Sequence, residues 1–287
     1  MFPIPHAAGS AARLPRLAFG AAFAAALILL SPGARAEDPA PDNPLQDGAT
    51  WEALRPDILG ETPLAEGAPV FTVEAPYRAA DAATVPIRIE QDPSDPLLLN
   101  RVRVVIDENP SPIAAEIDFG PDMHPLAFET RVRVNQYSNV RVLAETERGT
   151  YMAGRFVKAS GGCSAPATKD PEAALAGMGE TRLRIFGEAP AQSGQMREAQ
   201  IMIRHPNYSG LQRDQLTHLF ISAHFIHQLE VWQGDTLLFR VDGGISISEN
   251  PVFRFSYRDN GAPEFHVIAR DTEGNSFDTR LPKTPPA

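Results

Sequence analysis

The chain has 287 residues, with 36 acidic against 26 basic side chains, a formal net charge of −10 and a single cysteine. So acidic a balance excludes the basic surface that nucleic acid phosphates require, and one cysteine excludes an internal disulfide framework. The length allows two domains of ordinary size.

Residues 1–36 read as a secretory signal peptide. Arg13 and Arg16 form a basic start, Leu17 to Leu30 is an apolar run, and Ala34-Arg35-Ala36 is a small-x-small cleavage site. The run is shorter than the roughly 20 residues of a membrane span, so the expected product is exported, with no stable membrane span after cleavage. Cleavage removes Arg13, Arg16 and Arg35 and no acid, which leaves the remainder more acidic still. Such a surface suits solubility and the electrostatic steering of cationic partners.

Beyond a Pro/Asp/Ala-rich start, residues 43–59 are expected to be largely helical. Asn43 can cap, Pro44 suits the first turn, and Trp51, Leu54 and Ile58 share one face. Pro56 should kink or end the helix near Arg55. Short alternating strands follow. Val85, Ile87 and Ile89 form one, and Pro86 within it suggests an edge strand or a bulge. Val102 and Val104 lead to a turn at Asp107-Glu108-Asn109-Pro110, and Val132 with Val134, Val140 to Val142, and Tyr151 to Lys158 give three more. The second half repeats the style over Thr181 to Phe186, Ala199 to His205 and Phe225 to Val231. Gly234-Asp235 then turns into Leu237 to Val241, and strands around Phe255 and Val267 complete the half. The expected class is all-β: two immunoglobulin-like antiparallel β-sandwich domains after an N-terminal helix. The boundaries are 37–163, a linker at 164–180, and 181–287.

Cys163 lies in "GGCSAPATKD" (161–170). An unpaired cysteine in an exported protein points to a bond with another molecule or to a thiol with a task. Gly161, Gly162, Ser164 and Ala165 offer no bulky wall, so the thiol is expected to be exposed. Lys158 and Lys169 flank it and are candidates for lowering its pKa, against a plainer reading as solvated charges. His218, His224 and His227 match no zinc or copper spacing, and on a strand His224 and His227 would face opposite ways, so no metal is expected. His205-Pro206 reads as a structural turn. No nucleophile elbow, phosphate loop or dinucleotide fingerprint occurs, and Gly243-Gly244 lies between strands and opens no helix. No cofactor and no enzymatic activity are expected.

Three stretches, "HPNYSGLQRD" (205–214), "SAHFIHQLEVWQGD" (222–235) and "ISISENPVFRFSY" (245–257), resemble SoxZ. "AGRFVKASGGC" (153–163) resembles SoxY, the cysteine-bearing partner in periplasmic thiosulfate-oxidising sulfur carriers. The arrangement looks like the fused SoxYZ-like carriers associated with quinoprotein dehydrogenases. The resemblance implies that Cys163 attaches a sulfur intermediate covalently and that Gly161 and Gly162 let its arm swing. It further implies that the two halves pair within the chain, and that the partners are Sox-type enzymes or a quinoprotein dehydrogenase system. In SoxY the arm ends the chain. Here Ser164-Ala165 and a whole second half follow, so the tether is a loop anchored at both ends.

Overall fold

The computed structural model describes residues 42–67, 69–166, 175–187 and 193–284. The signal peptide, Lys169 and residues 167–174 of the expected linker lie outside them. The first half contributes helix α1 (Ala49–Leu59) and strands β1 (Leu64–Glu66), β2 (Phe71–Glu74), β3 (Val85–Gln91), β4 (Arg101–Ile106), β5 (Ile113–Phe119), β6 (Ala127–Val132), β7 (Ser138–Thr146) and β8 (Gly149–Val157). The second contributes β9 (Thr181–Phe186), β10 (Met196–Ile203), β11 (Ile226–Gln233), β12 (Thr236–Gly243), β13 (Val252–Arg258), β14 (Glu264–Asp271) and β15 (Ser276–Pro282).

The all-β class stands, and both halves supply strands to both sheets. One sheet runs β1-β8-β7-β4-β5-β12-β11-β14-β15 and the other β2-β3-β6-β13-β10-β9. The halves therefore join edge to edge. Ile117 of β5 faces Val241 of β12 in one sheet, and Phe128 of β6 faces Phe255 of β13 in the other. Such pairing removes the open strand edges that each half alone would present to solvent. Between the sheets lies one continuous core, with Val102, Ile117 and Phe128 from the first half and Ile201, Phe239 and Phe255 from the second. Phe128 packs edge-to-face on Phe239 at 5.2 Å across the seam, and Phe239 on Phe255 at 5.0 Å. Each such buried ring contributes roughly 1.5–3 kcal/mol by leaving water.

Helix α1 begins later than the sequence indicates. Asn43 does not cap it. Its buried amide instead donates to Ala75 O at 3.1 Å and Phe156 O at 2.9 Å, which ties the N-terminal segment to the sandwich. The helix continues past Pro56 to Leu59 and buries Trp51, against which the Arg141 guanidinium stacks at 4.4 Å. Pro56 is tolerated because one missing hydrogen bond near a helix end is outweighed by packing of Trp51, Ile58 and Leu59 on Val105 and Leu143. Pro86 lies in a strand flanked on both sides, not in an edge strand as expected. However, β2 pairs only with residues 88–91, so at Pro86 the strand has a neighbour on the β6 side alone and is locally an edge.

Candidate functional site

After β8 the chain turns across the end of the sandwich. Gly161 N donates to Asn135 O at 2.8 Å and Gly162 N to Val134 O at 3.0 Å, and residues 162–164 form a single 3-10 turn. Gly161 sits at φ +78°, a left-handed value that favours glycine. A Cβ at Gly162 would lie 2.0 Å from Ala82 O, so only glycine fits there. The swing that the resemblance implies is not the use this conformation makes of them. In this conformation the two glycines serve a tight turn and a close backbone approach.

The expectation of an exposed thiol is corrected: Cys163 is fully buried. The strap that carries it is fixed by groups from both halves, those of the second half being the ones distant in sequence. Ser209 Oγ donates to Cys163 O at 2.5 Å, and Gln212 Nε2 to Ala165 O at 3.1 Å. Gln212 Oε1 in turn accepts from Ser209 N at 3.0 Å. Residues 161–166 therefore form a strap clamped from the SoxZ-like side. Burial pushes the thiol up to about 11, opposed by the field of Arg133.

Of the two lysines singled out from the sequence, only Lys158 lies among the described residues, and it is engaged elsewhere. Lys158 directs its ammonium over the Tyr77 ring at 4.5 Å, and Lys169 lies outside the described residues. The cation near the thiol is Arg133, which sequence reasoning missed. It is buried, with Nη1 donating to Gly162 O at 3.2 Å and Nη2 to Asn207 O at 3.3 Å. Its Nε has no acceptor. Burial pulls the guanidinium below its ordinary range, opposed by Glu249, Cys163 and Asp81. Alternation along Arg131-Val132-Arg133-Val134 assigns both arginines to a solvent face. Strand β6 ends at Val132, however, and only Arg131 stays exposed.

Behind Arg133 the hydrogen bonds continue. Asn207 N donates to His205 Nδ1 at 3.0 Å. His205 Nε2 and His224 Nε2 lie 3.3 Å and 2.7 Å from Asp271 Oδ2. Their ligand-type atoms fall within 4.8 Å of one another, close enough to raise the question of a metal. Because His205 Nδ1 accepts a backbone proton, the single proton of the neutral ring sits on Nε2 and points at Asp271. A metal at that Nε2 would leave the ring with no proton at all, so the trio fits a proton-bridged hub and not a metal. The hub is not legible in the sequence because the partners of His224 stand 19 and 47 residues away from it. Residues 204–207 run as irregular backbone and not as the turn expected at His205-Pro206, and His205 serves the hub.

An open cavity beside the strap is lined by Asp81, Arg131, Arg133, Ala165, Pro166 and Glu249. A larger one, near Phe71 and Met196, holds no cysteine or histidine.

Cys163 thus sits on a clamped strap in an all-β scaffold, with no histidine or carboxylate hydrogen-bonded to its thiol among the described residues. Residues 55–163 match the family model of the sulfur oxidation protein SoxY, and residues 185–282 match that of the sulphur oxidation protein SoxZ. The chain belongs to these families: it is a SoxY region followed by a SoxZ region, a fused SoxYZ-like protein. The sulfur carrier protein SoxY from Chlorobium limicola f thiosulfatophilum is a similar solved structure. It is 23% identical, with 39% of this chain and 97% of that one covered and a TM-score of 0.32. No curated protein matches the chain. No helix among the described residues is long and apolar enough to cross a membrane.

Proposed function

We propose that this protein is a periplasmic sulfur carrier in which Cys163 holds a sulfur-containing intermediate covalently while partner enzymes of a Sox-type system act on it. Access to the thiol requires the strap at 161–166 to lift. The observation that carries this reading is the position of the chain's one cysteine. It is the last residue of the SoxY match, and its strap is fastened by a few hydrogen bonds from both halves, with side chains of the SoxZ half holding Cys163 O and Ala165 O. A few hydrogen bonds, each worth about 1 kcal/mol net, can be exchanged for contacts with a partner. Closed, the strap shields the thiol from adventitious oxidants and disulfides, whose reactions need an accessible thiolate.

A second reading has its own support. A fully buried thiol held at about 11 suits a protein that carries no cargo and serves as an accessory module of a quinoprotein dehydrogenase. Intact-mass measurement of protein taken from the native periplasm separates the two. The carrier reading expects a mass increment that reductant removes and that Cys163→Ser abolishes. Finding only unmodified or glutathionylated protein, with Cys163→Ser supporting sulfur oxidation like wild type, supports the accessory module.

A further inference from the structure

We propose that Arg133 is an anion-binding residue for the group carried on Cys163, and that it makes the carrier selective for adducts ending in a sulfur oxyanion such as a sulfonate. This rests on the carrier reading above and adds a residue and a charge preference to it.

Three cationic side chains are buried among the described residues: Arg133, Arg141 and Lys283. Arg141 is clasped by Asp107, Nε to Oδ1 at 2.9 Å and Nη2 to Oδ2 at 2.9 Å. Lys283 reaches Asp259 at 2.8 Å. Arg133 alone has no carboxylate within ion-pairing distance among the described residues; it has two carbonyls and a bare Nε. A buried cation left in that state costs stability unless an anion is to arrive. The carbonyl that Nη1 holds belongs to Gly162, directly before Cys163, and the carbonyl that Nη2 holds belongs to Asn207, two residues before the Ser209 that holds Cys163 O. Lifting the strap releases Nη1. Together with Nε it then offers two charged donors to the oxygens of a sulfonate.

The cavity beside Ala165 and Pro166 gives that group a place to sit. Arg131, Asp81 and Glu249 line the same cavity. The two acids weaken the hold of Arg133 on a free anion, so attachment through Cys163 supplies the local concentration that binding needs. The closed strap has no slack at Gly162, where even a methyl group would strike Ala82 O. Cys163 itself is fully buried in the closed strap, so loading its sulfur requires the strap to open.

The test uses the purified full chain and two thiol reagents. With tetrathionate, the Cys163 thiolate attacks a central sulfur and the central S–S bond breaks. Thiosulfate leaves with the electron pair, the thiol proton goes to solvent, and a thiosulfonate, Cys163 Sγ–S–SO3⁻, remains; the cysteine is oxidised and the reagent reduced. With methyl methanethiosulfonate, the same thiolate displaces methanesulfinate and leaves the neutral mixed disulfide Cys163 Sγ–S–CH3. Both reactions need the strap open, so the ratio of their rates cancels the opening step and reports charge preference. Arg133→Gln is expected to lower the tetrathionate-to-neutral ratio about tenfold, and Arg133→Lys to restore part of it. In wild type the sulfonate-terminated adduct is expected to melt above the methylthio adduct. An unchanged ratio in Arg133→Gln overturns the proposal. If that variant does not fold, the wild-type comparison decides, and a sulfonated form melting at or below the methylthio form overturns it. Neither measurement depends on loading in the cell, so lack of native cargo would sink the carrier reading and leave this result standing.

Discussion

Asp271 gathers donors from Glu273 N and Asn275 N on one oxygen and from Asn275 Nδ2, His205 Nε2 and His224 Nε2 on the other. Burial pushes its carboxyl up, but these hydrogen bonds outweigh burial and hold it at about 2. A depressed carboxylate contributes stability above its unfolded value, near 4, and loses it as pH falls toward 2, on the order of 2 kcal/mol in all. His205 acts in the same direction. Burial lowers its pKa, so the fold keeps the ring neutral, whereas the unfolded chain takes up a proton below about 6.5. Stability is therefore expected to decline gently from pH 7 to pH 5 and steeply below pH 4. In Asp271→Asn, which is weaker at pH 7, the steep limb should largely vanish. Denaturant midpoints measured across that range check this, and a wild-type midpoint unchanged down to pH 3 contradicts it. None of these residues was legible as a group, because the contacts that make the hub span tens of residues and leave no local periodicity. Cys163 was legible as the residue of interest, yet its burial was not: its strap is held in part by Ser209 and Gln212, far along the chain.

At the level of elements, the strap is held at its cysteine by one hydroxyl. Removing it in Ser209→Ala leaves Cys163 O without that donor and should weaken the closed state by about 1 kcal/mol. Alkylation of Cys163 by iodoacetamide under native conditions is then expected to run about fivefold faster than in wild type. An unaltered rate would mean that Ser209 does not restrain opening. Strands β3 and β13 were readable because bulky apolar residues alternate with polar ones and their burial follows suit. Strand β5 was not, since Ala114 and Ala115 are adjacent, both buried, and weak in β propensity. Strand β15, at a sheet edge, buries Leu281 alone of its seven residues and so carries too little apolar signal. Glycine had two possible uses in "GGC", freedom or tightness, and the choice was fixed by Ala82 and Val134, which pack against it from other segments.

Across the whole molecule, the seam decides how the SoxY and SoxZ regions behave. Two sheets run through it, with β5 on β12 and β6 on β13, and the aromatic core crosses it between Phe128 and Phe239. The β style and the two halves could be read from the sequence. Their edge-to-edge union could not, since pairing between residues such as Ala115 and Gly243 obeys no local pattern. With one shared core the halves should unfold in a single transition. The strap lies outside both ladders, so its opening should need only the loss of its few clamps. The most direct measurement is the rate of Cys163 alkylation as denaturant rises from zero through the unfolding midpoint. The account expects a low-denaturant plateau with almost no slope, the mark of local opening, before the rate joins the steep limb of global unfolding. A rate that follows the full global slope from the first increment would show that the thiol is reached only by unfolding the sandwich, and would contradict a gated carrier.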